Sequence, residues 1–319
     1  MAVIEITNLN IIIDTDPGTD DALVLGVASA FFKDNIRALI SSYGNVDGDQ
    51  TYNNLINLAD ILKIDCDFIK GSLNPMGKDN FIPTDYHGKN GLCGLMLPDA
   101  NPCKRRAEGG VPCTENLYEM IKEYKNIKYI AIGPLTNFAK LIDKYPDSVN
   151  YIDELIIMGG GFEVSNMDNN TEYNFSMDAE AVKKVLACHV KKVLASLDMT
   201  HRLAFSLPDI EDITGVKREL LPDDMSDPFT VLAKLFYLNY DTSVKNGNPG
   251  AIIHDATTLA YLVGRDDPGA PCNIKQYKII SDEYGALSKH PNGHDVTVIE
   301  EIDRDFVKDL LKRSFYEHK

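Results

Sequence analysis

A rhythm in the chain limits its fold more than any other feature. Short apolar runs of strand length alternate with helical stretches through the first two thirds of the sequence. The runs are "LNIII" (9–13), "RALISSYG" (37–44), "IKYIAIG" (127–133), "DELIIMGGG" (153–161) and "VKKVLASLD" (190–198). The intervening helical stretches are "DDALVLGVASAFF", "DQTYNNLINLADILK", "LTNFAKLIDKY" and "SMDAEAVKKVLAC". Short apolar runs that end at turn residues read as strands buried on both faces. Strands that return through helices build a parallel sheet covered on both sides. The expected fold is α/β, with a mostly parallel central sheet flanked by helices, in a single domain spanning residues 1–319. Residues 73–112 break the rhythm. They are rich in Gly, Pro, Asn and Asp and predict long loops over the sheet edge. Residues 207–250 turn helical and irregular, and the tail predicts two or more strands and a closing helix.

In open parallel sheets, ligands bind beyond the carboxyl ends of the strands. The first strand ends in "DTDPGTDDA", which carries Asp14, Asp16, Asp20 and Asp21. The other ends bring Asn45 in "YGNVDG", the segment "AIGPLTN", and "MGGG" followed by "NMDNNTEYN" with Asn166, Glu172 and Asn174. Further on, "HDATTLAYL" places His254 and Asp255 before an apolar helix. Carboxylates crowded at one dry rim repel each other, so protons or a cation must compensate them. The ligands on offer are oxygens, not thiolates, which implies a hard cation, Ca²⁺ or Mg²⁺. Plainer readings stand beside this one. Asp20 or Thr19 also reads as a helix cap, His254 as a satisfied half-buried histidine, the glycine run as a tight turn, and the asparagines of "NNLINLADIL" as a solvated face.

Other motifs fail on spacing. An EF-hand loop from Asp14 needs Gly at its sixth position and Glu at its twelfth, where Thr19 and Leu25 stand. A DxD phosphatase motif is interrupted by Pro17 and Gly18. Glycine-rich phosphate fingerprints are absent from the sequence. The formal net charge of −16 repels nucleic-acid phosphate. Six cysteines without CxxC spacing argue against a zinc or redox site and for reduced thiols in a cytoplasmic setting. The N-terminus lacks signal-peptide character, and no apolar run reaches the length of a membrane span.

Taken together, "DTDPGTDDA", "YGN", "HGKNGL", "IGPLTN", "MGGG", "NMDNNTEYN", "HDATTLAY" and "DRDFVKDLL" resemble, in order and over nearly the whole chain, the nucleoside hydrolase family of inosine–uridine-preferring ribohydrolases. The resemblance implies the nucleoside hydrolase fold and calcium-dependent cleavage of the N-glycosidic bond of a ribonucleoside. It implies Asp16, Asp21, Asp255 and the backbone carbonyl of Ile132 as metal ligands. Asp16 would be the general base toward the attacking water, Asp14 its neighbour behind the ligands, and Asp20 a ligand to the ribose hydroxyls. Asn45, Asn166, Glu172 and Asn174 would hold the sugar beside the Met158 backbone. His254 would protonate the leaving base, and His87 would contact the base or close the site. Homodimers or homotetramers are implied likewise.

Two departures bear on this reading. Ala256 stands where the family usually has proline after His-Asp, and the chain has no tryptophan to hold a purine. Phe236, Tyr237 and Tyr240 are the substitutes on offer, or else core aromatics of a helix. Two rival functions stay open at this point, a DxD-type metal-dependent phosphatase and a catalytically silent ribonucleoside-binding protein.

Overall fold

The apolar runs form a nine-stranded sheet. In chain order, β1 (Asn10–Thr15), β2 (Ile36–Ser41), β3 (Asp67–Lys70), β4 (Ile127–Ala131), β5 (Ile152–Met158) and β6 (Lys192–Ala195) are parallel neighbours in the spatial order β6-β5-β4-β1-β2-β3. A computed structural model describes residues 9–77, 81–100, 113–265 and 272–319 of the chain. A two-stranded antiparallel ribbon, β7 (Ala204–Phe205) with β8 (Ala251–Ile252), lies apart from the sheet. The tail supplies β9 (Cys272–Ser281), β10 (Leu287–Lys289) and β11 (His294–Ile302). β11 runs parallel to β6, and β9 lies antiparallel to both β11 and β10.

Because side chains alternate across a strand, β1 feeds two cores. Ile11 and Ile13 join the cluster under α1 (Thr19–Phe31), while Ile12 joins the one that holds Tyr129 and Phe138. On the first face α1 packs with α2 (Gly48–Ile61), α9 (Pro228–Lys245), α10 (Ala256–Gly264) and α11 (Arg304–Glu317). On the second lie α3 (Cys113–Tyr124), α4 (Thr136–Lys144) and α6 (Ala179–Ala187). Between them in sequence are α5 (Tyr173–Met177), α7 (Leu197–Thr200) and α8 (Leu207–Thr214). Every residue of α1 from Thr19 to Ser29 is buried, the polar Thr19, Asp20 and Asp21 of its first turn as well as the apolar run from Ala22 to Ala28.

Some expectations are corrected. The runs through Gly44 and Gly161 stop earlier, at Ser41 and Met158, because the chain turns out of the sheet to make the site. Four-residue β3 was too short for periodicity to signal. Neither Asp20 nor Thr19 caps α1. Gly18 is the cap residue, and its N–H donates to Asp21 Oδ2 at 2.9 Å. Asn54 is not on a solvated face: it is buried and donates to the carbonyls of Pro17 (3.2 Å) and Asn90 (2.8 Å), which ties the loop bearing His87 to the end of β1. Segments 71–77 and 81–100 hold neither helix nor strand, as expected; residues 78–80 and 101–112 lie outside the described residues. Among the described residues, no helix is long and apolar enough to cross a membrane.

The closing helix α11 is fastened by Asp209 of α8. Its carboxylate accepts from Arg304 Nη2 at 2.5 Å, Lys308 Nζ at 2.8 Å and Ser206 N at 3.0 Å. Partial burial opposes ionisation, but the bonds from Lys308, Ser206 and Arg304 outweigh it and hold the carboxyl well below the usual range. A depressed folded pKa stabilises the fold above the unfolded value and loses that effect as pH falls below it. Asp209→Asn is expected to lower stability by about 1–2 kcal/mol near neutral pH, allowing for solvent screening. In thermal melts the gap to wild type should narrow between about pH 5 and about pH 3. A gap that stays constant over that range would show that the ion pairs are not its source.

Candidate functional site

The carboxyl ends of β1, β2, β4 and β5 and the start of α10 surround one cavity of about 900 Å³. That is a volume suited to a small-molecule ligand. Asp16, Asp20, Asp21, Asn45, His87, Ile132, Met158, Asn166, Glu172, Asn174, His254 and Asp255 all line it. The structure thus brings these twelve residues to one rim, although they come from segments more than two hundred positions apart. Asp14 lies behind them, buried, and accepts from Tyr129 Oη at 2.7 Å and Asn137 Nδ2 at 2.9 Å.

Asp16, Asp21 and Glu172 are each held by hydrogen bonds of their own. Asp16 Oδ2 accepts from Asn45 N at 2.8 Å, and Asn45 Nδ2 returns to the Asp16 carbonyl at 2.9 Å. Asp21 accepts from the Thr15 hydroxyl and Gly18 N, with Asn45 Nδ2 at 3.3 Å. Glu172 caps α5, accepting from Asn174 N (2.8 Å) and Phe175 N (3.1 Å), and also takes Gly160 N at 2.9 Å. Gly160 has φ +65°, so the glycine run does make a tight turn, and that turn aims a backbone donor at Glu172. Asn174 Nδ2 donates to the carbonyl of Ile132 at 3.1 Å. Asn166 Oδ1 is engaged by Tyr173 N at 2.9 Å, so Asn166 stiffens the loop as well as lining the cavity.

Electrostatically the rim is under strain. Burial raises the pKa of Asp14, Asp16, Asp20, Asp21, Glu172 and Asp255 above their ordinary values. Neighbouring carboxylates add to this at Asp16, through Asp21, and at Asp255, through Asp20 and Asp21. Asp14 is pushed up to about 7 despite its two hydrogen bonds. Among the described residues, no lysine or arginine is ion-paired to the five aspartates; the basic side chain beside them is His87, with Nε2 3.7 Å from Asp20 Oδ1. Asp20, Asp21 and Asp255 each offer an oxygen within 4.8 Å of one another. An uncompensated all-oxygen cluster fits a hard divalent cation. This tightest group contains Asp20, while Asp16 stands beside it with one oxygen turned to Asn45.

The histidines face the acids. His87 is buried, and its Nδ1 accepts from Thr19 N at 3.3 Å. A neutral ring then carries its proton on Nε2, the nitrogen nearest Asp20. Burial lowers the pKa of His87. Burial, with His201 second, pushes that of His254 down to about 3. His254 Nδ1 pairs with the Thr200 hydroxyl at 2.7 Å.

The family model described as inosine-uridine preferring nucleoside hydrolase matches residues 11–309. The chain belongs to the nucleoside hydrolase family. Curated relatives include the pyrimidine-specific ribonucleoside hydrolase RihA of Salmonella typhimurium, 29% identical over 95% of this chain and 97% of that protein. RihA of Salmonella arizonae is 30% identical over the same shares. Among solved structures, the purine-preferring ribonucleoside hydrolase from Gardnerella vaginalis superposes with a TM-score of 0.83 at 22% identity, covering 97% of this chain and 99% of that one. The plant nucleoside hydrolase PpNRh1 gives 0.80 at 24%, with the same coverage. The α/β fold of this nucleoside hydrolase is therefore that of its family, and its chemistry is the hydrolysis of N-glycosidic bonds.

The aromatics anticipated on α9 are not at the site. Phe236 and Tyr237 are buried in the core, Tyr237 with its hydroxyl on the Val216 carbonyl at 2.7 Å, and half-buried Tyr240 packs on the same core. The helix does reach the cavity, but through the polar residues Asn239, Thr242 and Lys245. Its aromatic wall comes from Tyr86 and Tyr173, together with His201. Tyr173 donates to the Gly44 carbonyl at 2.7 Å, which joins α5 to the end of β2. His201 follows β6, and the strand-end rule applied there would have found it. Tyr86 and Asn239 carry no sequence signal of their own.

Proposed function

We propose that this nucleoside hydrolase is calcium-dependent and acts on ribonucleosides of the uridine or inosine type, releasing free base and ribose. The observation that carries the reading is the sharing of one cavity by the acidic cluster, the amides of Asn45 and Asn174, and two histidines. Cleavage of an N-glycosidic bond builds positive charge on the ribose ring. Carboxylates and amide oxygens fixed around the ring stabilise that charge without having to reorganise. Asp20, Asn166, Glu172 and Asn174 bind the sugar hydroxyls, with the Met158 backbone alongside. Asp16 takes a proton from the attacking water, as a carboxylate positioned at the cavity rim can. His254 and His87 face the departing base. Calcium held by Asp16, Asp21, Asp255 and the Ile132 carbonyl would supply an acidified water and an anchor for the cis-diol. Asn239 Oδ1, buried at the cavity wall without a partner among the described residues, offers an acceptor for a base N–H. The names of the RihA relatives favour the pyrimidine side.

The test is ribose release from uridine, cytidine, inosine, adenosine and guanosine, before and after chelation. Turnover should fall on thorough chelation and return with Ca²⁺, with uridine or inosine leading. Release that chelation leaves unchanged would remove the metal from the reading. No release from any of the five would favour a silent binding protein.

A further inference from the structure

Thr200 closes α7 and is fully buried. Its hydroxyl has one partner among the described residues, His254 Nδ1 at 2.7 Å. A hydroxyl brings one donor and two acceptor sites, and a buried donor left unused is costly. If Nδ1 carried the proton, it would donate to Thr200 and leave the hydroxyl hydrogen with no acceptor. If the hydroxyl donates to Nδ1, every donor in the pair is used, and the one proton of the neutral ring sits on Nε2. His254 Nε2 has no protein partner among the described residues, and the residue lines the cavity. Its main chain is fixed separately, because the Thr257 hydroxyl donates to the His254 carbonyl at 2.7 Å at the entry to α10. The His201 ring, 5.3 Å away between centroids, limits its swing.

We infer that Thr200 is a positioning residue that donates its hydroxyl proton to His254 Nδ1 and thereby holds the imidazole as the neutral Nε2–H donor toward the leaving base. This deepens the proposed function and rests on His254 acting at the base. A neutral imidazole is too weak an acid to surrender its proton. The proton therefore stays on Nε2 and is shared in a hydrogen bond with charge developing on the departing base nitrogen, the electrophilic use of neutral histidine known from another enzyme class. With Thr200 lost, Nδ1 has no donor. The Nδ1–H tautomer then becomes populated and turns a lone pair toward the base.

The experiment compares wild type, Thr200→Val, Thr200→Ser and His254→Ala on uridine and inosine and on p-nitrophenyl riboside, whose phenolate leaves without help. Thr200→Val is expected to lower kcat on the nucleosides by about 10- to 100-fold with little change in KM, a size usual for losing a group that orients a reactive histidine. It should spare p-nitrophenyl riboside, Thr200→Ser should restore the nucleoside rate, and His254→Ala should show the same split. Equal loss on both substrate classes would mark Thr200 as merely structural and overturn the inference. So would an unchanged nucleoside rate in Thr200→Val alongside a slow His254→Ala. If His254→Ala itself shows no leaving-group split, the reading of His254 fails, and this inference with it. Nitrogen NMR of ¹⁵N-histidine-labelled wild type, assigned through His254→Ala, reads the tautomer without turnover. A protonated Nε2 and bare Nδ1 are expected, and the reverse overturns the inference whatever the kinetics.

Discussion

Asp16→Asn is expected to reduce kcat on uridine or inosine by about 10²- to 10⁴-fold, the range for removing a positioned general base. The fold should survive. The amide oxygen of asparagine still accepts from Asn45 N, and the other half of that contact, Asn45 Nδ2 to the residue 16 carbonyl, involves only backbone at position 16. In metal-free protein the melting temperature should hold or rise, because burial and the neighbouring Asp21 work against the carboxylate that is removed. Steady-state kinetics and a thermal melt on the same preparation check both halves. Turnover close to wild type would take the base role away from Asp16. Equal loss of rate and of folded protein would show that the substitution tests the fold and not the chemistry.

Gly44→Ala should come next in size. A Cβ at position 44 would lie 2.0 Å from Asp16 Oδ2, and one at Gly133 would lie 2.7 Å from Asp16 Oδ1. The Asp16 carboxylate is thus held between two places where a side chain is missing. An alanine at 44 must push the carboxylate out of position or shift the turn that carries Asn45 N. Misplacement of a reacting group by about 1 Å can cost about 100-fold, so a loss of that order in kcat is expected. Because the effect runs through Asp16, the double variant Gly44→Ala/Asp16→Asn should be no slower than Asp16→Asn alone. Additive losses would mean that Gly44 acts by some other route, such as its carbonyl, which accepts from Tyr173 Oη.

How far the sequence could be read depended on whether a signal was local. β1, β4 and β5 announce themselves by short apolar runs, Ile11 to Ile13, Tyr129 to Ala131 and Leu155 to Met158, since a strand covered on both faces is mostly apolar on each. β3 is four residues long and leaves no such trace. The aspartates of "DTDPGTDDA" are legible because they follow a strand directly, where an open parallel sheet places its ligands. Asn54 misleads, because spacing on a helix cannot reveal that the loop carrying Asn90 folds over it and makes its amide a buried strut. Tyr237 misleads in the same way: an aromatic on an amphipathic helix can face core or ligand, and only the neighbours decide.

By itself, then, the sequence determined the layered α/β class, the acidic strand end and the family, because each rests on short-range pattern and residue chemistry. Tertiary structure alone decided that Tyr86, Tyr173 and His201 wall the cavity, that Asp20 joins Asp21 and Asp255 in the tightest carboxylate group, and that Thr200 meets His254. These pairings join residues far apart in the chain or set by side-chain direction. Such contacts exist only after the two cores have packed and fixed where each strand and helix ends.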